Sequence, residues 1–213
     1  MARRLNKAVI DSMIIASATA VLICIATVMV GLIHAQEETF ATYNDPDGLF
    51  TIQYPSDWEI INETLTGEPL SDLYPERVGY VEFAMRDKVT DELMYTSISV
   101  EVKEEPEQLE NLQDLRRNIL LHPDATLANA ENPVIEPTTL SGQEAFKIGF
   151  HSPAIPSVLE ELGDIIPARD QIRVVTFDPQ TKYSYTVGFS ALPVLFPELV
   201  PTFETSLNSF RIT

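Results

Sequence analysis

Apolar and polar positions along the chain fall into three regimes. From Met13 to Ile33 there are 21 consecutive residues without a charge. From Phe50 the period shortens to two, with Phe50, Ile52 and Tyr54 on one face and Thr51 and Gln53 between them, which predicts a strand. Pro55 removes a ladder donor and interrupts it, and Trp58 to Ile61 resumes as a second strand. Val78 to Met85 and Thr96 to Val102 read as further strands; in the latter Ile98, Val100 and Val102 point inward, and Ser97, Ser99 and Glu101 outward. A helical period follows, with Leu109, Leu112, Leu115 and Ile119 at steps of three and four, ended by His122-Pro123. After an irregular acidic stretch, Ala145 to Phe150 is a strand with Phe146, Ile148 and Phe150 on one face. Ile172 to Phe177 and Tyr183 to Phe189 flank Asp178-Pro179-Gln180-Thr181-Lys182 as a hairpin, the second arm turning Tyr183, Tyr185, Val187 and Phe189 to one side. Phe196, Leu199, Val200, Phe203, Leu207 and Phe210 form the stripe of a closing helix, with Pro197 and Pro201 expected at first-turn positions. Antiparallel strands with helices in the middle and at the end define an α+β class.

The long uncharged run has a different meaning. As a helix at about 1.5 Å per residue it spans roughly the ~30 Å hydrocarbon core of a bilayer. Arg3, Arg4 and Lys7 stand before it, so the positive-inside rule places Met1 in the cytoplasm and everything after Ile33 outside. Residues 1–35 are then either a retained signal anchor or a signal peptide cut after Ile33-His34-Ala35. The run exceeds the ~7–15 apolar residues of a signal core, which favours the anchor. Gln36 to Asn44 reads as a short polar stalk, and residues 45–213 as the extracytoplasmic domain.

Charge and cysteine usage narrow the function. The whole chain carries a formal charge of −18, and residues 36–213 hold 11 Lys+Arg against 31 Asp+Glu, a charge of −20. Such a surface repels phosphate backbones, which excludes nucleic-acid binding, and favours a basic protein partner or loosely held cations. The only cysteine, Cys24, lies inside the hydrophobic run behind Ile23, where lipid attachment needs a small residue. The exported part therefore has no thiol, which rules out thiol catalysis, CxxC redox chemistry and thiolate metal sites there, and leaves its stability to its core.

The run Tyr43-Asn44-Asp45-Pro46-Asp47-Gly48-Leu49-Phe50, followed by Tyr54-Pro55-Ser56-Asp57-Trp58, resembles the opening of PsbP-like domains, named after an extrinsic protein of the photosystem II oxygen-evolving complex. The strand Thr96 to Val102, the amphipathic helix, Leu140-Ser141-Gly142-Gln143-Glu144-Ala145, the aromatic hairpin and the final helix closing on Ser209-Phe210 continue the resemblance in order, over about Tyr43 to Thr213. It implies an antiparallel, about six-stranded sheet packed between helices, an α/β/α sandwich shared with a nuclear-transport factor that binds the GTPase Ran. Two features depart from the pattern: the hydrophobic segment in place of a plant-type transit peptide, and a proline-rich insert from Ser152 to Arg169.

Candidate chemistry is sparse. Asp45-Pro46-Asp47-Gly48 looks like a calcium loop, yet aligning its glycine with the sixth EF-hand position puts Tyr43 and Tyr54 where carboxylates are needed, so only weak calcium binding by Asp45 and Asp47 is left beside a plain turn. His122 and His151 read as solvated residues at the end of a helix and of a strand. No Gly-x-Ser-x-Gly elbow is present. Trp58 reads as a core residue. Asn62-Glu63-Thr64 is a glycosylation sequon on the exported side. In the insert, Ser157-Val158-Leu159-Glu160 can form a capping box, and Val158, Leu162, Ile165 and Ile166 form an apolar ridge that either covers the sheet or meets a partner. The expectation is a non-enzymatic accessory or binding domain without a cofactor, tethered to or exported across the membrane. An extrinsic subunit of a membrane redox complex and an acidic hydrolase are the alternatives.

Overall fold

In the computed structural model the described residues are 38–61, 77–86, 93–156 and 165–213. The run from Met13 to Ile33, the cleavage position, Cys24, the Asn62 sequon, the Ser157–Glu160 box, Val158 and Leu162 lie outside them. Among the described residues no helix is long and apolar enough to cross a membrane.

Two sheets share one core. The larger is a seven-stranded antiparallel sheet built from β3 (Glu59–Ile61), β4 (Arg77–Arg86), β5 (Leu93–Glu104), β6 (Glu131–Leu140), β7 (Gln143–Ser152), β10 (Arg169–Asp178) and β11 (Tyr183–Ala191). Its spatial order is β3-β4-β5-β11-β10-β7-β6. The smaller joins β1 (Phe40–Asn44), β2 (Phe50–Pro55) and β12 (Arg211–Ile212) in the order β1-β2-β12. The helices are α1 (Leu112–Leu121), α2 (Ala125–Ala128) and α3 (Phe196–Ser209).

Alternation along the strands sorts the layers. Val81, Phe83, Ile98, Val100, Val102, Val187 and Phe189 point to one face and are at most 2% exposed. That face is covered by α3, through Phe203, and by the small sheet, through Phe50 and Ile52. Tyr54 stacks on Phe83 with ring centroids 4.3 Å apart. Phe146, Ile148, Phe150, Val175 and Phe177 point to the other face and pack against Leu115 of α1 and Leu127 of α2. Helices thus lie on both faces of the sheet, as expected, but the strand Phe50–Pro55 belongs to a separate sheet. Phe50 and Ile52 place one face of that strand on the main sheet, so its hydrogen-bonding edges are left for β1 and β12.

Several local expectations change. Phe40–Asn44, read as stalk, is a strand because β2 offers it a ladder from Phe40↔Pro55 to Asn44↔Thr51. The acidic stretch contains β6, whose Pro133 and Pro137 are tolerated because it is an edge strand and one side of its backbone needs no ladder donors. Pro201 lies inside α3 rather than in its first turn, on the exposed side. The insert begins as a continuation of the β7–β10 hairpin. Ser152 faces Arg169, and beyond a two-residue gap on each side the strands β8 (Ile155–Pro156) and β9 (Ile165–Ile166) pair in the same register, Ile155 with Ile166.

Asp124 ties the helical layer down. As N-cap of α2 it accepts the Leu127 N–H at 2.8 Å, and its other oxygen meets the Arg173 guanidinium at 2.5 Å. Burial raises the pKa of this carboxyl, but Arg173 and the Leu127 N–H outweigh that and hold it below the usual aspartate value. A depressed folded pKa gives stability that is complete above the unfolded pKa and is lost as pH falls through the folded one. Asp124→Ala should cost about 1 kcal/mol at neutral pH, and urea midpoints of the two proteins should converge as the carboxylate protonates. A gap that persists unchanged in acid would show that the charge is not the cause.

Candidate functional site

Among the described residues, one part of the sheet has no layer over it. The layer of α3 and the small sheet covers β4, β5 and β11 together with Val174 of β10, Ala145 of β7 and Leu140 of β6, but over the other ends of β6, β7 and β10 the same face opens into a cleft of about 420 Å³ with Phe196, the first residue of α3, at its side. The register builds this cleft in three rows, since residues directly opposite in a ladder share a face. In the middle row Val134, Gly149 and Ile172 stand side by side on β6, β7 and β10. Two residues back along β7, Lys147 is opposite Glu136, and its Nζ lies 3.1 Å from Glu136 Oε2. Two residues forward, His151 stands between Glu131 and Asp170, and its Nδ1 lies 2.7 Å from Asp170 Oδ1.

Gly149 makes the middle row a slot. A Cβ built on it would meet no atom within 4 Å, so the space above the backbone is open. Its neighbours Ile148 and Phe150 are fixed on the opposite face by the core under α1, which keeps β7 in place without help from residue 149. Val134 forms one wall and is 57% exposed, a large apolar surface for a strand residue. The mouth is shaped by a β-bulge: from Glu131 to Val134 β6 advances three residues while β7 advances two, from His151 to Gly149. Asn132 takes φ +49° there, a left-handed value that asparagine tolerates.

An apolar slot between the Lys147–Glu136 ion pair and the hydrogen-bonded His151–Asp170 pair is suited to holding a side chain. Among the described residues, no serine, threonine or cysteine lines it. The Asp170 carboxylate holds the His151 imidazole in place at the edge of the cleft.

The residues singled out in the sequence go elsewhere, with one exception. Asp45 is buried, and its Oδ2 accepts the N–H groups of Asp47 and Leu49 at 3.1 Å each, closing the turn into β2. Asp47 is exposed on that turn. Among the described residues no group of three or more His, Cys, Asp or Glu side chains is arranged to hold a metal. His122 is exposed at the C-cap of α1, where its N–H bonds to the Asn118 carbonyl. Trp58 is 8% exposed and belongs to the core. Ile165 and Ile166 form β9 in the ribbon, and Ile166 is half-buried. His151 is the exception; it ends a strand, as expected, but is paired with Asp170 at the cleft. The local signal for the site was the glycine, since a lone Gly inside a strand marks a place where something approaches the backbone.

The fold is PsbP-like. The solution structure of cyanobacterial PsbP (CyanoP) from Synechocystis superposes with a TM-score of 0.51 at 16% identity, over 84% of this chain and 96% of that one. The yeast Ran-binding protein Mog1p from Saccharomyces cerevisiae is also similar, with TM-score 0.47, 12% identity, and 83% and 96% coverage. LpqN of Mycobacterium tuberculosis, described as involved in cell envelope biogenesis, gives 0.44, 12%, and 84% and 87%. No family model matches the sequence, and no curated protein matches it.

Proposed function

We propose that this chain is a non-enzymatic accessory or binding module of the PsbP-like class, displayed on the outer side of a membrane, and that it takes a protein partner in the cleft over β6, β7 and β10. The observation that carries the reading is the open Gly149 floor between the Lys147–Glu136 and His151–Asp170 pairs. Glycine weakens a strand by roughly 0.5–1 kcal/mol relative to alanine, so a bare position in the middle of a ten-residue strand is useful if a partner's side chain fills it. The membrane placement rests on Arg3, Arg4, Lys7 and the uncharged run behind them.

Gly149→Leu is the direct test. The space above residue 149 is open, so the variant should fold and melt at or slightly above the parent temperature, since leucine also suits a strand better than glycine. Its side chain would occupy the slot, and partners crosslinked to the exported domain in intact cells should be lost. A stable variant that keeps every crosslink would reject the cleft as the partner site. Carbonate extraction of the same cells separates a retained anchor, which stays with the membrane, from a cleaved and released domain.

A further inference from the structure

We infer that the cleft's occupant is an extended peptide segment carrying a large apolar residue with a basic residue two positions to either side of it. This rests on the cleft being the partner site, and it adds the partner's chemistry. The geometry comes from the strand period. Rows on one face of β7 are two residues apart, about 7 Å, so the charged rows at Lys147 and His151 flank Gly149 at about 7 Å on each side. An extended segment laid along β7 has the same step, so its residues i−2, i and i+2 fall over the three rows in turn.

Each row selects its residue. Over the middle row, Val134, Ile172 and Phe196 surround the vacant Gly149 position, which favours an aromatic or long aliphatic side chain at i. Across the two flanking rows together there are three carboxylates, one beside Lys147 and two beside His151. Glu136 answers to Lys147 through one oxygen and is 56% exposed. At the other row Glu131 and Asp170 stand on either side of His151, and Glu131 has no ionic partner among the described residues. With one lysine and one histidine against three carboxylates, the rim is acidic and accepts lysine or arginine at i−2 and i+2. The net charge of −20 on residues 36–213 acts in the same direction at long range.

Three capped peptides test this, identical except at the flanking positions: Lys-Thr-Phe-Thr-Lys, Gln-Thr-Phe-Thr-Gln and Glu-Thr-Phe-Thr-Glu, each within the same Gly-Ser surroundings. Titration of the 15N-labelled domain, read from amide shifts, detects millimolar binding and locates it. The lysine peptide should shift Gly149, Ile172 and Val134 and bind about tenfold more tightly than the glutamine peptide at low salt, two exposed ion pairs' worth, with the difference shrinking as salt is added. The glutamate peptide should give no shifts. Glu131→Gln with Glu136→Gln, both on exposed positions, should remove most of the lysine preference. Equal affinities for all three peptides, abolished together by Gly149→Leu, would overturn the charge rule and leave the cleft as partner site. Absence of cleft shifts with the lysine peptide would overturn the proposed motif, whereas unchanged crosslinks in Gly149→Leu would overturn the cleft reading itself.

Discussion

Trp58→Ala should lower the unfolding free energy by about 3–5 kcal/mol, the range for large aromatics removed from a core. The side chain is 8% exposed, and it enters the core from the turn between β2 and β3, where the Trp58 N–H bonds to the Pro55 carbonyl at 3.0 Å. It belongs to the same buried cluster as Phe50 of the small sheet and Phe83 of the large one. In a domain of this size each kcal/mol moves the melting temperature by about 2–4 °C, so a fall of roughly 10 °C is expected. Trp58→Phe retains most of the buried area and should lose much less. Trp58 is also the only tryptophan, so native emission should be blue-shifted and resistant to quenching by iodide. Free-indole quenching, together with an alanine variant as stable as the parent, would show that the residue is not part of the core.

Phe203→Ala should be as costly, with an effect on the cleft as well. Phe203 is 1% exposed and holds α3 to the sheet through Phe189, with ring centroids 5.2 Å apart and planes 11° from parallel. Removing the ring costs about 3–5 kcal/mol. On its other side Phe189 stacks on Phe196, again at 5.2 Å, and Phe196 is the side of the cleft. Loss of Phe203 frees Phe189 to shift and takes away the support for Phe196. Peptide affinity in the cleft should then fall even at temperatures where circular dichroism reports a native fold. Glu204→Ala, one position along and exposed, is the control and should stay within about 0.5 kcal/mol of the parent. Full peptide affinity in folded Phe203→Ala would show that Phe196 is held without the stack.

The two readouts separate what α3 does for stability from what it does for the site. Its C-terminal half docks on β2, where Gln53 N–H bonds to Ser209 Oγ at 2.7 Å, and its first residue edges the cleft. A variant that loosens only the second half should destabilise the domain without changing which peptides it prefers.

Much of this architecture is legible in the sequence alone. Thr96 to Val102, Ala145 to Phe150, Ile172 to Phe177 and Tyr183 to Phe189 alternate clearly because each central strand has at least one face on a core, and the side-chain period of two then records which face. The helix ending at His122 and the closing helix are equally plain, since each buries a single stripe against a sheet. Elements without such a face leave no pattern. β1 exists because β2 offers it a ladder, and β6 is an edge strand with two prolines and mostly exposed residues, so neither can be recognised before its neighbour is in place. The cleft is of the same kind. Gly149 is visible in the sequence, but Glu131, Glu136, Asp170 and Ile172 become its neighbours only through the registers of β7 with β6 and β10. A slip of one residue in either pairing would turn those side chains to the opposite face. Composition, facing and the hydrophobic segment were therefore determined locally, while the slot and its charged rows were decided by strand pairing, which is a property of the folded sheet.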